Sequence, residues 1–454
     1  MKTWQPTALA IALGLAFPTL AAAQSNEQLL KELQALKDRV SQLESALKAK
    51  DAKPAAGQWG MTPEQAAELN RVSVKVEATE DNLEMWGLKG LKVEGYIEPA
   101  FIYNHRQHRA GFQFLNSQEV YAYDTSYIGS AVIGFTKETE SGSVWKLTLS
   151  PNRGVGELIG AGIVQEASLA LPLEGGRKII AGQIPDWSGY EYQQPTLNPF
   201  TSHNLLYDFT LPSAYTGVGI ETPVGGLTLK AMIANVNATI RQAKEKSPVI
   251  VYRGDYELSE FAGVGFAGLH GKAPNFNGDG RNTMAHLFEV DGYYTRGDLT
   301  LSGQVGLGTQ KKGAITPDAD GNYRDSSWWG VSGLAGYMLT PRLQGLVRAD
   351  YIHNAKNGGG LFTYNGYSGF DDTDTLVYGN DDRNGLGPDL AGDLNRGANR
   401  YALSFGLKYT FNEQTTLKAE YRLDGADRAV FVDVKDGTYH KRNHLVGASM
   451  VVAF

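Results

Sequence analysis

From Leu88 to Phe454 apolar and polar side chains alternate with a period of two, the spacing of strands that bury one face only. Over residues 400–411 one phase is Tyr401, Leu403, Phe405, Leu407, Tyr409 and Phe411; the other is Arg400, Ala402, Ser404, Gly406, Lys408 and Thr410. The next run sets Leu417, Ala419, Tyr421 and Leu423 against Lys418, Glu420, Arg422 and Asp424. A soluble sandwich alternates as well, so the connections between strands have to decide. Short ones, at 137–142, 172–175, 223–226, 296–298, 340–342 and 412–415, alternate with long ones at 105–119, 151–162, 185–214, 237–282, 310–326, 355–399 and 425–440. That rhythm belongs to a barrel with tight turns at one end and extended loops at the other. The expected fold is therefore an all-β transmembrane barrel over 88–454, antiparallel and up-and-down, with about 14 strands; an extra hairpin at 248–252 would make it 16. An open strand edge in lipid would leave N–H and C=O groups unpaired, so the sheet has to close.

Ahead of the barrel the pattern is different. Lys2, the apolar run 8–17 and Ala21-Ala22-Ala23 have the order of a secretory signal over 1–23, with cleavage expected after Ala23. Over 24–50 the apolar positions Leu29, Leu33, Leu36, Val40, Leu43 and Leu47 step by four and three, the a/d seam of a heptad repeat. Glu32 with Lys37 and Arg39 with Glu44 are opposite charges at the g to e′ offset, which predicts a short parallel coiled coil. Residues 51–61 read as a linker. Thr62, Pro63 and Gln65 then start a helix expected to run to about Asn82, within an entry segment at 62–87.

Composition narrows the chemistry. With no cysteine, 42 basic and 49 acidic residues and a formal charge of −7, the chain is neither a disulfide scaffold nor a thiolate metal centre nor a polybasic nucleic-acid binder. Without Lys2 the mature charge is −8. No uncharged apolar run after Gln24 approaches the length of a spanning helix.

Three features carry resemblances. Arg39-Val40-Ser41-Gln42-Leu43-Glu44 resembles a short trimerisation motif of coiled coils. The last strand, with Val446, Ala448, Met450, Val452 and a terminal Phe454 on one face, resembles the assembly signal of Gram-negative outer-membrane barrels. Gly182-Gln183, Gly189-Tyr190-Glu191, Asn198, Ser202, Leu206-Tyr207, Pro212 and Thr216-Gly217-Val218 resemble the strand-loop-strand block of proteobacterial porin families. A coiled coil ahead of a barrel also resembles the arrangement in trimeric sugar porins and phosphate-type porins. The resemblance implies a Gram-negative outer-membrane porin, a homotrimer with periplasmic N-terminal helices. It would pass small hydrophilic solutes passively and have outer-membrane lipid, lipopolysaccharide and the barrel-assembly machinery as partners. It also implies that the third outer loop folds inward. Here that is 185–214, with Asp186, Trp187, Tyr190, Glu191, Tyr192, His203 and Asp208 as constriction residues.

The polar phase of each strand supplies the candidate pore lining. Lys92, Lys146, Lys230, Arg348, Arg400, Lys408, Lys418 and Arg422 are opposed by Glu94, Glu98, Glu166, Glu289, Asp291, Asp350, Glu420 and Asp424. The signs nearly balance. Seven aspartates in loop 355–399, from Asp371 to Asp393, make an acidic mouth, so the expected selectivity is neutral or mildly cationic. Tyr96, Phe101, Trp145, Trp328, Trp329, Tyr351, Tyr401 and Phe411 are candidates for interfacial girdles. No enzyme is expected: there is no nucleophile elbow and no Ser, His and acid grouping, which an outer-membrane hydrolase would need. A tether, with the barrel only an anchor, is the other alternative. His105 and His108 form an H-x-x-H without a placed carboxylate, and no metal or cofactor is expected.

Overall fold

The structure, a computed structural model, describes residue 37 and residues 63–454 apart from 116–120, 155–161, 242–244, 275–281, 315–319, 321, 323, 357–366, 371–375, 379–383 and 387–396. The signal segment, the linker, the seam residues Leu29, Leu33, Leu36, Arg39, Val40, Leu43, Glu44 and Leu47, and the aspartates of loop 355–399 lie outside the described residues. Two compact units divide at Lys89. The first contains α1 (Pro63–Met85), three residues longer than expected at its C-terminus, with Leu69, Val72 and Val76 exposed along one stripe. No described helix is long and apolar enough to cross a membrane.

The second unit is a closed antiparallel barrel of 16 strands, not the 14 favoured by the sequence rhythm. β1 is broken in two, Leu91–Ile97 and Ala100–Asn104, because Pro99 has no N–H to give to the ladder. β2 is also in two pieces, Arg109–Gln113 and Ala131–Glu138, both paired with β1. Between them the described residues 121–130 lie off the wall, and the Leu115 N–H donates to the Gly129 carbonyl at 2.7 Å across the neck of the excursion. Then follow β3 (Val144–Gly154), β4 (Gly162–Pro172), β5 (Lys178–Pro185), β6 (Ala214–Val224) and β7 (Leu227–Val236). The hairpin β8 (Val249–Ser259) and β9 (Ala262–Ala273) is the pair that raises the count to 16. The wall is completed by β10 (Thr283–Arg296), β11 (Leu299–Gln310), β12 (Ser326–Thr340), β13 (Leu343–Lys356), β14 (Arg400–Thr410), β15 (Thr415–Ala426) and β16 (Arg442–Ala453). β16 pairs with both halves of β1 and closes the sheet.

The register fixes which phase faces in. Leu334, Arg348, Ser404, Arg422 and Leu445 are successive cross-strand partners, and all five are buried. The opposite phase is apolar and open: Val305 53%, Leu307 52%, Val347 42%, Phe405 47%, Leu407 48% and Val446 41% exposed. A continuous band of this kind is not carried by a water-soluble monomer, and it matches the lipid face of a barrel. Trp145, Trp329 and Phe411 stand on this outer face; Tyr96 and Trp328, expected in the girdles, are instead buried on the inner phase, because each sits one residue out of step with the apolar alternation. Phe454 completes the seam: its N–H donates to the Gly95 carbonyl at 3.0 Å, and its ring lies where a side chain at 95 would be.

Candidate functional site

Residues 186–213, the third outer connection, enter the barrel and are fastened to its inner wall. The segment begins at Asp186, whose carboxylate accepts from Ser188 N–H, Ser188 Oγ and the Tyr215 hydroxyl. Gly189 N–H donates to Glu289 Oε1 at 2.9 Å. Its φ of +76° and the Gln304 amide 2.7 Å from a would-be Cβ leave room for glycine alone. Tyr190 Oη lies 2.5 Å from Ser332 Oγ, which donates onward to Asp350 at 2.7 Å.

The far half is held by three cations and one carboxylate. Arg348 donates to Glu191 Oε1 and to the Ser202 and His203 carbonyls, each at 2.9 Å. Arg422 donates to the same His203 carbonyl at 2.7 Å, and Lys418 to the Pro195 and Phe200 carbonyls at 2.6 and 3.2 Å. Glu420 takes the opposite polarity, accepting from Thr201 N–H, Ser202 N–H and Ser202 Oγ. A loop drawn into the barrel has backbone groups that water no longer serves; here wall charges serve them.

The turn at His203 feeds α2 (Leu205–Thr210), whose N-cap Asn204 accepts from Tyr207 N–H at 2.8 Å. Leu205, Leu206 and Phe209 are wholly buried, each contributing about 1.5–3 kcal/mol. They pack against Tyr121, Tyr127 and Ile128, so residues 121–130 form a second inward element. Tyr121 donates to Asp208 at 2.5 Å, and Asp124 accepts from Asn104 at 2.7 Å and from Arg109.

All fifteen candidate lining residues from the strands, and Glu166, fall on the inner phase, but they divide into two groups. Glu98, Glu289, Arg348, Arg400, Arg422 and Asp424 are completely buried, and Asp291, Asp350, Lys418 and Glu420 nearly so. This corrects the expectation that they meet water: apart from Glu98, whose carboxylate oxygens are buried without a hydrogen-bond partner, their charges are engaged by the inward segment and by each other, as in Arg400 with Asp424 at 2.9 Å. Lys92, Glu94 and Lys146 are exposed, and Lys230, Glu166 and Lys408 half-buried. The wet wall is therefore centred on the β1–β8 side.

Sequence reasoning missed Tyr121, Tyr123, Asp124, Tyr127 and Arg253. The first four stand in a polar-aromatic run that breaks the period of two, the signal that could have found them. His105 and His108 sit in the β1–β2 hairpin turn, and His108 Nε2 lies 2.7 Å from Asp433, which also takes Arg106 at 2.9 Å. The pair ties the first hairpin to the last outer loop.

His203 carries a pH consequence. Burial, with Arg348, Lys418 and Arg422 around it, pushes its imidazole down to about 3, while its Nε2 lies 2.9 Å from the Tyr192 carbonyl. A freed segment would take up the proton at the ordinary 6.5, whereas the docked one refuses it until about 3. The stabilisation that His203 gives to docking is therefore full above 6.5 and is lost as pH falls toward 3, while Asp186, Glu191 and Asp208 of the same segment, pushed up by burial to about 6, 7 and 7, act in the opposite direction. Limited proteolysis within 186–213, compared between the protein and His203→Gln, isolates the imidazole: between pH 6.5 and 3 acidification raises cleavage less in His203→Gln than in the unsubstituted protein.

The chain matches the model of one protein family over residues 62–245 and 266–454. No curated protein matches it. Among solved structures it is similar to the anion-selective porin of Comamonas acidovorans, with 11% identity, a TM-score of 0.50 and coverage of 80% of this chain and 99% of that one. OmpF of Salmonella typhi, in complex with daunomycin, gives 13% identity and a TM-score of 0.49 over 80% and 97% of the two chains. OprB of Pseudomonas putida, in its high-pH structure, gives 10% and 0.49 over 83% and 96%. The similarity to the Comamonas porin is one of fold. Since the family model covers most of the barrel, the chain belongs to the family described as "Protein of unknown function (DUF3138)".

Proposed function

We propose that this barrel is an outer-membrane porin, a non-catalytic channel for passive diffusion of small hydrophilic solutes, with 186–213 as its constriction. The observation that carries the reading is the inward segment itself, anchored through Arg348, Arg422, Lys418 and Glu420 inside a wall that is apolar outside and charged within. A solute would exchange part of its hydration shell for the remaining wet wall, where Lys92, Lys146 and Lys230 stand beside Glu94 and Glu166. In this reading the chain works as a homotrimer gathered by its N-terminal helices in the periplasm, and Phe454 is read by the assembly machinery. The Comamonas porin is anion-selective; the near balance of signs here, with the acidic loop 355–399, supports neutral or mildly cationic selectivity instead.

Stepwise conductance of the purified protein in planar bilayers tests the channel, and reversal potentials in a salt gradient test the sign. Folded protein without conductance steps would overturn the reading. One observation favours a second reading, the barrel as an anchor for a tether: Leu205, Leu206, Phe209, Tyr121, Ile128 and Trp328 form an apolar body in the lumen. Deleting residues 25–50 separates the two, since a channel keeps its unitary conductance and a tether loses its function.

A further inference from the structure

Under the inward segment, toward the turn end of β8–β10, lies a cavity of about 500 Å³. Arg253, Asp255 and Glu257 of β8, Asp291 and Tyr293 of β10, and Tyr192 of the inward segment line it. The strand-borne ones share the inner phase, because Asp255, Gly265 and Asp291 are successive cross-strand partners and Glu257, Gly263 and Tyr293 are the next set. The two glycines open the space. At Gly265 a side chain would meet the Arg253 guanidinium at 2.6 Å, and at Gly263 the Tyr293 ring at 2.6 Å.

The charge in this cavity is uneven. Arg253 binds Asp291 through both terminal nitrogens, at 2.7 and 3.0 Å, and Asp255 through Nε at 2.7 Å. One guanidinium thus faces two carboxylates, and Glu257 adds a third without adding a cation. Tyr192 and Tyr293, 52% and 51% exposed, line the cavity with them.

We propose that this cavity is a binding site for a small organic cation, an aliphatic amine or diamine. Ammonium groups are held by Asp255, Glu257 and Asp291, and the stem lies against the tyrosine rings. Residues 246–265, which carry Arg253, Asp255, Glu257 and both glycines, lie between the two matched stretches of the family model, whereas Tyr192, Asp291 and Tyr293 lie within them. The proposal deepens the channel reading by naming a solute class, and binding is measurable without conduction.

The test is calorimetric titration of the full-length protein in detergent micelles with 1,4-diaminobutane, succinate and glucose. The expected result is saturable binding of the diamine alone, weakened at least about tenfold in Glu257→Gln and again in Tyr293→Leu. Equal binding of succinate or glucose, no diamine binding, or full affinity in Glu257→Gln would overturn it. Heat-modifiable gel mobility verifies that each variant is folded, and Tyr192→Leu, on the loop rather than the wall, provides a second variant. Bilayer recordings of the same preparations keep the two readings apart: conductance without diamine binding removes this site and leaves the channel, and the converse removes the channel and leaves the site.

Discussion

Replacing Arg348 by alanine frees the inward segment and widens the lumen. The guanidinium is wholly buried over the Phe200 ring, 4.7 Å from its centre, and its donors are divided among Glu191, two loop carbonyls and Ser202 Oγ. Alanine leaves Glu191 and Asp350 charged in a dry site, a loss of about 3–5 kcal/mol for a buried pair broken on one side. The docked segment tolerates no such deficit, because its backbone groups depend on the same wall charges. Single-channel conductance is expected to rise at least about twofold, since it follows the open cross-section, and residues 186–213 become accessible to protease. Arg348→Lys does not rescue, because one ammonium cannot span the directions that the planar fork reaches. Unchanged conductance in a folded Arg348→Ala barrel would show that the segment does not set the width.

The second large effect concerns the outer face. Phe405 lies at the middle of β14, 47% exposed and flanked across the sheet by Val347 and Tyr421. Phe405→Arg is expected to cost about 2–4 kcal/mol of folding stability in lipid vesicles, the penalty for a charge at the bilayer midplane. On a water-exposed sheet the same change would stay within about 0.5 kcal/mol. Urea titration of the protein refolded into vesicles reads the difference directly. A value near zero would remove the membrane from the account, whatever the barrel's shape.

How far the wall was legible depends on residue size. Strands such as β14 and β15 announce themselves because large apolar residues occupy every outward position. β9 does not: Gly263, Gly265, Gly268 and Gly271 thin its pattern, and its turn with β8 at Glu260-Phe261 lacks glycine and proline. That is why the hairpin was visible only as an alternative at 248–252. The broken second strand escaped for a related reason, since β2 resumes after an excursion that local periodicity reads as one long loop.

Periodicity, turn spacing and the apolar outer phase are local properties, and they determined the barrel, its closure, the even strand number and the face each charge occupies. They also marked 185–214 as the third long connection. Which charges meet water was decided by tertiary structure alone. Arg348, Lys418, Glu420 and Arg422 read as wall groups, yet their partners are loop atoms about 150 to 225 residues away in sequence, at 191–203. Folding a loop into a barrel brings unserved carbonyls and N–H groups to whichever charges stand opposite, and desolvation then makes those pairings obligatory. A pattern of neighbours along the chain holds no record of that encounter.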